Sequence, residues 1–467
     1  MAWHRRHIDS RGYSLCGVTH TTASHAIMDA IGALHIAPVQ SWDAIICTST
    51  VVRKTIDYVL SNWGRYLEER LKGHCMAPVQ LPVIPLGVDC DRFQPSPSTS
   101  KVRKELRDKY GINYDDIAFL FLGRLSFHAK AHPLPMYLAL EEVARKSKDR
   151  IHLIQAGWFA NEEIETAFRS GAQQWCPSVN VIVVDGRNRN VRNNIWYAAD
   201  IFTALSDNIQ ETFGLAPVEA MAAGLPVVVS DWDGYRDTMR NGVEGFAVPT
   251  VMPAPGVGAD LALRYAMGID SYDVYIGHAS QFTAVDVGAC ADAYSKLVSD
   301  RELRRSMGEA GRKRAREVFD WSIIISAYQN LWRELEERRR VDGELVPSHA
   351  QQVRHPLRDD PFSVFRSYPS TTMDGKAMVS VRTGRGIPGV KELRAHPLTS
   401  LSNHLLASEK DCEDLLTHLR AHGECTVSEL LSLFSQDERQ VVVHRTLAWL
   451  AKVGLVSIKG VARSTNG

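Results

Sequence analysis

The sequence has no excess of either charge and no long apolar run. Its 467 residues carry 54 basic and 54 acidic side chains, so the formal net charge of zero gives no global argument for a nucleic-acid or acidic partner. No stretch approaches the roughly 20 apolar residues of a membrane-spanning helix, and no signal-peptide run follows the basic N-terminus. We therefore expect a cytoplasmic protein.

Paired cysteine motifs are also missing. The eight cysteines form no C-x-x-C pair and are scattered among apolar segments, which favours buried free thiols in a reducing compartment. Hydrophobic residues make up 45% of the chain, which is enough for packed cores. The length leaves room for about three domains.

Apolar strands alternate with helices from residue 101 to residue 335. The clearest predicted strands and helices are 117–122, 135–146, 151–157, 162–171 and 179–184. Repetition at this spacing predicts an α/β domain with a parallel, doubly wound sheet and right-handed crossovers. Asp200, which precedes the next predicted strand at 201–205, is expected to have a structural role.

The stretch 206–242 is the most informative part of the chain. A polar loop leads to Gly214, where a helix should start, and Gly224 should end that helix in the left-handed conformation. A short buried strand is predicted at 225–230. Strand, loop, helix and strand in this order place the free N–H groups of the helix N-terminus at the carboxyl edge of a sheet, where α/β proteins bind phosphorylated ligands.

Two glutamates frame this loop and helix. Glu211 lies in the loop and Glu219 lies inside the helix. A carboxylate accepts two hydrogen bonds from a vicinal diol, so the pair suits sugar hydroxyls at one end and a ribose at the other. From spacing alone the plainer alternative is favoured, in which Glu211 complements the helix dipole and Glu219 is solvated.

The whole string changes that balance. E-T-F-G-L-x-x-V-E-A-M-A-A-G-L-P-V-V, at 211–228, resembles the E-x7-E signature of family 4 retaining glycosyltransferases, which have two Rossmann-like domains facing a cleft. The resemblance implies that Glu211 contacts hydroxyls of the donor sugar and that Glu219 binds the nucleotide ribose. It also implies that three backbone amides lie near the sugar and diphosphate, those of Phe213, Gly214 and Leu215.

A second motif carries two cations. Arg124 and Lys130 are six residues apart in a strand-to-helix loop, so both could reach one diphosphate and stabilise it as a leaving group without a metal. Alone, such residues are more often solvated surface charges. G-R-L-S-x-x-x-K, however, resembles the phosphate-binding Arg and Lys of the same family, with Ala131 in place of the usual glycine.

Residues 1–95 are predicted to form an incomplete N-terminal Rossmann-like domain on the acceptor side, with strands at 13–18 and 43–48 and a helix at 51–71. V-I-P-L-G-V-D-C-D-R-F, at 83–93, resembles the family's linker between the two domains. Family members carry nearly twice this length before the linker, so we expect several strands and helices to be missing. A misassigned start codon, a partial gene and a partner chain that completes the sheet remain open explanations.

One histidine of this domain is a candidate for catalysis. His20 falls at the end of the first predicted strand, in G-V-T-H-T. A core or loop histidine is the commoner situation. Family members often carry a histidine that faces the donor sugar across the cleft, and the resemblance implies this role for His20, so that His20 and Glu211 are the predicted catalytic residues.

Residues 96–340 are predicted to form the nucleotide-sugar-binding domain, ending in a return helix at 320–340 that packs on the first domain. Its apolar residues at helical spacing are expected in the core; they are Trp321, Ile324, Ile325, Tyr328, Leu331, Trp332 and Leu335. The basic run at 301–319 is read as a solvated helix face, with peripheral contact to anionic lipid at the inner membrane surface as an alternative. Segment 249–283 is read as a padded surface loop in preference to a cleft-side loop.

The end of the chain is predicted to be a linker, 341–400, and a small, mostly helical domain, 401–467, that resembles a winged-helix fold. From Ser408 onward it carries seven basic and eight acidic residues, a net charge of 7 − 8 = −1. A DNA reader should carry a clearly basic face, so DNA is unlikely. A protein partner or self-association through this tail is favoured.

These features together predict a metal-independent retaining glycosyltransferase that needs no cofactor and moves a hexose-like sugar from a nucleotide-diphosphate donor to an unknown acceptor. The predicted fold class is α/β, with two Rossmann-like domains facing a cleft and the winged-helix-like tail. The alternative function is a catalytically incompetent donor-binding subunit or regulator that uses the tail for protein interaction.

Overall fold

The computed structural model describes residues 1–75, 77–343, 355–384, 386–434 and 437–462. The chain divides into two compact units, Met1–Gln352 and Val353–Gly467. Part of the predicted linker, residues 344–354, therefore lies outside the described ranges. No helix in the described ranges is both long enough and apolar enough to cross a bilayer.

The strands of the first unit are β1 (Cys16–Val18), β2 (Ala44–Ile46), β3 (Ile117–Leu122), β4 (Ile151–Gly157), β5 (Asn180–Asp185), β6 (Ile201–Ala204), β7 (Val227–Ser230), β8 (Gly245–Val248), β9 (Thr250–Val251) and β10 (Ala284–Val285). Its helices are α1 (Ala2–Ile8), α2 (His25–Gly32), α3 (Thr50–Leu71), α4 (Pro97–Tyr110), α5 (Leu134–Lys146), α6 (Glu162–Trp175), α7 (Arg189–Asn194), α8 (Leu215–Ala223), α9 (Tyr235–Thr238), α10 (Ala259–Ala266), α11 (Tyr272–Gln281), α12 (Val287–Ser299), α13 (Arg301–Arg314) and α14 (Trp321–Asp342).

The largest sheet has six strands in the order β5-β4-β3-β6-β7-β8, and every neighbouring pair is parallel. This is the Rossmann order, in which the chain starts in the middle at β3, builds one edge and then reverses to build the other. The prediction of an α/β, doubly wound fold is confirmed. The reversal lies between β3 and β6, where such sheets open a crevice at the carboxyl ends of their strands.

Apolar residues on both faces explain why these strands form the centre. Along β3, Ile117, Phe119 and Phe121 point to one face and pack in a core with Tyr137 of α5. Leu120 points to the opposite face and packs with Phe202 of β6. A strand covered on both faces by helices needs such a continuous apolar run. The predicted bounds of β3 and β4 agree with the structure to the residue.

Asp200 anchors the start of β6, as predicted. Its carboxylate accepts hydrogen bonds from Arg103 at 2.6 Å, from Arg107 at 3.0 Å and from the Ala118 amide at 2.9 Å. Arg107 is only 4% exposed and also donates to the carbonyls of Ala198 and Asp116. This buried network ties α4 to the strands that lead to the central crevice.

The first domain has a small parallel sheet with β2 in its middle. One side of β2 pairs with β1, and the other side is bridged in parallel to residues 80 and 83. Helix α14 returns across this sheet with Ile324, Leu331 and Leu335 buried.

The return helix departs from its prediction in one respect. Trp321, Ile325 and Trp332 are not in the core, because each is about half exposed. The described sheet is narrow, so it covers only one row of the side chains of α14.

The basic segment 301–319 also differs from its prediction as a solvated face. Arg304, Arg312 and Arg314 are half-buried and donate hydrogen bonds to the backbone carbonyls of Leu297, Ala223 and Asp237 respectively. Burial lowers the pKa of all three guanidinium groups. Since Ala223 is the last residue of α8, the Arg312 guanidinium satisfies a carbonyl at the end of the predicted ligand-binding helix.

The second unit contains α15 (Pro361–Val364), β11 (Thr371–Thr372), β12 (Met378–Val381), α16 (Val390–Ala395), α17 (Pro397–Ser400), α18 (Glu409–His422), β13 (Cys425–Thr426), α19 (Val427–Ser432), α20 (Asp437–Lys452), β14 (Val456–Lys459) and β15 (Val461–Ala462). Strand β12 lies between β13 and β14 in an antiparallel sheet. Its Val379 and the nearby Val390 are buried in the core of this unit. The second half of the predicted linker is therefore part of this core, while the winged-helix resemblance of 401–467 stays a prediction.

Candidate active site

A cleft of about 960 Å³ opens between the first domain and the six-stranded sheet. Loops after β1, β3 and β6 and the first turns of α8 line it. All eight residues predicted from the sequence border this one cleft, and they are His20, Arg124, Lys130, Glu211, Phe213, Gly214, Leu215 and Glu219.

The loop between β6 and α8 is held by side chains that bond to neighbouring backbone. The Ser206 hydroxyl donates to the carbonyl of Lys130 at 3.1 Å, and the Asn208 amide donates to the carbonyl of His128 at 2.7 Å. The Ser230 hydroxyl at the end of β7 donates to the carbonyl of Ser206 at 2.6 Å. The loops after β3 and β6 are thus fixed to each other at the carboxyl edge of the sheet.

Two glycines let another segment pack directly beneath this loop. Gly214, the N-cap of α8, has a φ of +101°, and a Cβ added there would lie 2.3 Å from the Tyr235 ring. A Cβ added to Gly234 would lie 2.4 Å from the Cα of Phe213. Only glycine fits both positions, so the turn before α8 rests against the ring of Tyr235.

Glu211 is held by charges and donors on several sides. Lys130 Nζ donates to its Oε2 in an ion pair, the Tyr235 hydroxyl donates to the same oxygen at 3.4 Å, and the Thr212 amide donates to Oε1 at 3.3 Å. Burial by itself raises the pKa of Glu211, but the Lys130 ammonium and the backbone amides outweigh it, and the pKa is lowered. The group is therefore an oriented carboxylate.

Glu219 has the opposite character. Burial raises its pKa, although Arg92 and Arg192 act against that rise. Among the described residues none forms a hydrogen bond or ion pair with this carboxylate. A half-buried acid at the cleft without a protein partner is available to accept hydrogen bonds from a ligand.

The cationic side of the cleft joins a helix N-terminus. Arg124 donates to the carbonyl of Ala129 at 3.1 Å, which folds its guanidinium across the loop that carries Lys130. Gly214 is the N-cap of helix α8 and provides no side-chain cap, and Gly214, Leu215 and Ala216 line the same cleft. Two cations beside free helix N–H groups suit a phosphorylated ligand.

The first domain reaches the Glu211 loop through Thr212. The Thr212 hydroxyl donates to the carbonyl of His20 at 2.8 Å, and the Thr48 hydroxyl donates to the carbonyl of Thr212 at 3.2 Å. The side chain of His20 is exposed at the cleft. The structure therefore places His20 on the predicted side of the cleft, and its catalytic role stays a prediction.

Segment 249–283 lies at the cleft, contrary to the favoured prediction of a padded surface loop. The ring of Tyr265 stacks on His25 with centroids 3.4 Å apart, and on Tyr275 with centroids 4.6 Å apart. The hydroxyls of Tyr272 and Thr21 lie 3.4 Å apart at the cleft itself. The aromatic residues of this segment thus join the two domains.

Tyr235 is the main site residue that the sequence analysis missed. It sits in D-W-D-G-Y, after a strand, and nothing in that string indicates contact with Glu211. A weak signal existed in Gly234, because a glycine between two bulkier residues often marks a close approach of backbones. Trp158, which also lines the cleft, gave no signal of its own.

Asp207 lies in the same loop and is buried, with 2% exposure. It accepts hydrogen bonds from the Ser280 hydroxyl at 2.9 Å and from the His132 amide at 3.3 Å. Burial outweighs these donors and raises the pKa of Asp207 to about 7. The loop therefore contains a carboxyl group, that of Asp207, which stays protonated up to a higher pH than an ordinary aspartate.

Replacing Asp207 by asparagine should change how stability depends on pH. Between its unfolded pKa of about 3.9 and its folded pKa of about 7, the native state holds more protons than the unfolded state, so the free energy of unfolding falls as pH rises. Asp207→Asn removes that fall, and at about pH 8 the variant should be more stable by up to about 4 kcal/mol, since the two pKa values differ by about three units of 1.36 kcal/mol each. Thermal unfolding across this range checks it, with the exposed Asp29→Asn as control. Parallel curves for Asp207→Asn and the natural chain would contradict it.

Comparison with known proteins points in the same direction as the geometry. Residues 102–254 match the family model described as glycosyl transferases group 1, and this range contains Arg124, Lys130, Glu211 and Glu219. A D-inositol 3-phosphate glycosyltransferase of Corynebacterium jeikeium is 26% identical over 293 residues, which are 62% of this chain and 60% of that protein. The enzyme of the same name from Geodermatophilus obscurus is 30% identical over 210 residues, 42% of this chain and 43% of that protein.

Among solved structures, the sucrose-phosphate synthase of Thermosynechococcus elongatus aligns over 68% of this chain and 67% of its own, with 18% identity and a TM-score of 0.44. The chain spans 60% and 43% of the length of the two curated relatives. The matched family region is the six-stranded domain with the cationic loop and both glutamates.

Proposed function

We propose that the chain is a retaining glycosyltransferase that takes a sugar from a nucleotide-diphosphate donor bound in the cleft. The observation that carries this proposal is the pair of glutamates on either side of the α8 N-terminus. Glu211 is ionised and oriented by Lys130 and Tyr235, and Glu219 is half-buried with no hydrogen-bond or ion-pair partner among the described residues. The match of residues 102–254 to group 1 glycosyl transferases supports the same activity.

In this proposal each group acts on a different part of the donor. Glu219 accepts hydrogen bonds from the ribose diol, and Glu211 accepts them from hydroxyls of the sugar. Arg124, Lys130 and the first amides of α8 surround the diphosphate. Each of them stabilises negative charge on the diphosphate as the sugar–phosphate bond breaks, so they act where charge develops.

The acceptor hydroxyl would attack the same face of the sugar that the diphosphate leaves. Its proton passes to the departing phosphate oxygen, which needs no nucleophilic side chain. His20 faces the donor from the first domain and is proposed to contact the sugar. Metal independence and the absence of a cofactor remain predictions of the family resemblance.

Binding and hydrolysis of donors test this proposal. The full chain is titrated with UDP-, GDP- and ADP-sugars by calorimetry, and release of nucleoside diphosphate is followed, beside Glu219→Gln and Arg124→Met. We expect one nucleotide to bind and each variant to weaken it roughly tenfold or more, since each loses a hydrogen-bonded contact to a charged group. Glu163→Gln, which changes an exposed acid of α6, is the matched control.

The outcomes separate the candidate functions. Binding with slow diphosphate release, weakened by both variants but not by the control, supports a transferase. Binding without release, even with acceptors present, favours the donor-binding subunit or regulator. Unaffected binding in both variants would overturn the site assignment. D-inositol 3-phosphate, the compound in the names of the two relatives, is the first candidate acceptor to include.

A further inference from the structure

The turn after β7 packs directly beneath the loop that carries Glu211. On one side of this turn, the indole N–H of Trp232 donates a hydrogen bond to the carbonyl of Asn208 at 3.0 Å. On the other side, a Cβ added to Gly234 would lie 2.4 Å from the backbone of the same loop. Asp233 lies between these two contacts, so its backbone is held against the Glu211 loop from both sides.

Asp233 itself is in an unfavourable setting. Its φ is +40°, in the left-handed region that glycine adopts without strain and an aspartate adopts at some cost. Its Oδ1 atom is buried and, in the part of the chain that the structure describes, takes part in no hydrogen bond. Backbone strain and buried polar atoms without partners are concentrated at functional sites. The carboxyl group of Asp233 is therefore a candidate for a role at the cleft.

The surroundings of Asp233 disfavour a second anion beside Glu211. Burial raises the pKa of Asp233 most, and the charges of Glu211 and Asp237 raise it further. The Gly234 amide and the Arg236 guanidinium act against this rise, but the pKa is still about 7. Asp233 is therefore mostly a neutral acid below that pH and mostly an anion above it.

The cations on the neighbouring elements are paired with other carboxylates. Lys130 forms its ion pair with Glu211, and Arg236 forms one with Asp231 at 2.9 Å. Burial raises the pKa of the Tyr235 phenol well above its usual value, so this group stays neutral. Among the described residues no cation forms an ion pair with the carboxyl group between them.

We propose, building on the proposed function, that Asp233 is a positioning residue that acts through Glu211 and sets the upper end of the pH range in which the donor reacts. As a neutral acid, Asp233 leaves the pair of Glu211 and Lys130 undisturbed. As an anion, it places a second negative charge beside Glu211. That charge repels Glu211 and opposes the negative charge that develops on the departing diphosphate.

The pH dependence of donor hydrolysis tests this role. The natural chain should lose about tenfold in kcat/KM between about pH 6 and about pH 8.5, which corresponds to one pKa unit of coupling between Asp233 and the reaction. A bound diphosphate adds negative charge, so the fall in kcat should occur at a higher pH than the fall in kcat/KM.

Two variants should abolish this fall. Asp233→Asn keeps the size of the side chain, tolerates the left-handed backbone and cannot ionise, so its kcat/KM should stay level across the range. Asp233→Gly also lacks the carboxyl group, relieves the strain and should behave in the same way. Asp231→Asn removes a carboxylate from the same turn and is the matched control, which should keep the natural fall.

Unfolding measurements test the coupling without a donor. Between the unfolded and folded pKa values of Asp233, the native state holds a proton that the unfolded state has lost, so the free energy of unfolding falls as pH rises toward 7. Asp233→Asn should remove this contribution. The same substitution should change the pH dependence less in a Glu211→Gln chain, because the neutral neighbour no longer raises the pKa of Asp233.

The outcomes separate this role from the proposed function. A fall in kcat/KM that persists in Asp233→Asn, as it would if Asp207 caused it, overturns the role of Asp233. So does a level profile in the natural chain, or an equal effect of Asp233→Asn on unfolding with and without Glu211. A natural chain that releases no nucleoside diphosphate at any pH overturns the proposed function and this role together.

Discussion

Replacing Glu211 by glutamine is expected to lower turnover of the nucleotide-sugar donor about a hundredfold to a thousandfold while the chain stays folded. The substitution keeps the shape of the side chain but removes the negative charge. That charge forms the ion pair with Lys130 and strengthens the hydrogen bond that Glu211 accepts from the Tyr235 hydroxyl. A glutamine oxygen can still accept one hydrogen bond from the sugar, so binding should suffer less than the chemical step. Steady-state kinetics of donor hydrolysis should therefore show a larger change in kcat than in KM.

Replacing Lys130, the ion-pair partner of Glu211, gives a second and more demanding test of the same prediction. Lys130→Met removes the cation from both Glu211 and the diphosphate, so it should be at least as damaging as Glu211→Gln. Because the two side chains form one ion pair, the double variant should lose less than the sum of the single losses in free energy. Strict additivity would show that the two side chains act independently of their ion pair. A Glu211→Gln enzyme within about threefold of the natural rate would show that the Glu211 carboxylate does not act on the donor.

Replacing Arg107 by methionine is expected to reduce the free energy of unfolding by about 3–5 kcal/mol. The guanidinium is almost fully buried and bonds to Asp200 and to several backbone carbonyls, including those of Ala198 and Asp116. Methionine fills a similar volume, but it removes one of the two arginines that form an ion pair with Asp200 in the described ranges and takes a donor away from the carbonyls. A large loss is expected because one side chain serves so many acceptors.

Thermal and urea unfolding of the full chain measure this effect. Arg301→Met, at an exposed position of α13, is the control and should change stability by less than about 0.5 kcal/mol. Asp200→Asn keeps the hydrogen-bonding shape and should cost less than Arg107→Met. If Arg107→Met unfolds together with the control, the network contributes little and the start of β6 is held by its apolar neighbours alone.

The six-stranded domain was accessible from the sequence because its signals are local. Strand β3 is an uninterrupted apolar run, and Gly214 and Gly224 mark both ends of α8, each with a positive φ in the structure. The ends of a strand or helix can be predicted from the sequence where burial on both faces, or a particular backbone conformation, requires a particular type of residue. The eight predicted site residues meet at one cleft for the same reason, since they follow the carboxyl ends of parallel strands.

What the sequence could not predict depends on contacts between distant segments. Glycine at 234 hints at a close approach, but it does not name the Glu211 loop as its neighbour. From the sequence alone the arginines of α13 are expected to be solvated. Only the fold shows which backbone carbonyls accept hydrogen bonds from Arg304, Arg312 and Arg314. The stacking of Tyr265 on His25 joins residues 240 positions apart in the chain, as does the bond between the His25 amide and the Tyr265 hydroxyl.

The two hydrogen bonds of Thr212 have a mechanical consequence. One links its hydroxyl to the His20 carbonyl, and the other links its carbonyl to the Thr48 hydroxyl, so the loop that carries Glu211 is fastened to both halves of the cleft. A hinge motion that parts the halves must break these bonds or pull Glu211 away from Lys130. Opening the cleft would then disrupt the contacts that hold the Glu211 carboxylate, and closing the cleft would restore them. The open cleft would admit the ligand, and the closed cleft would hold Glu211 in the position needed for the reaction, so one hinge motion would control both.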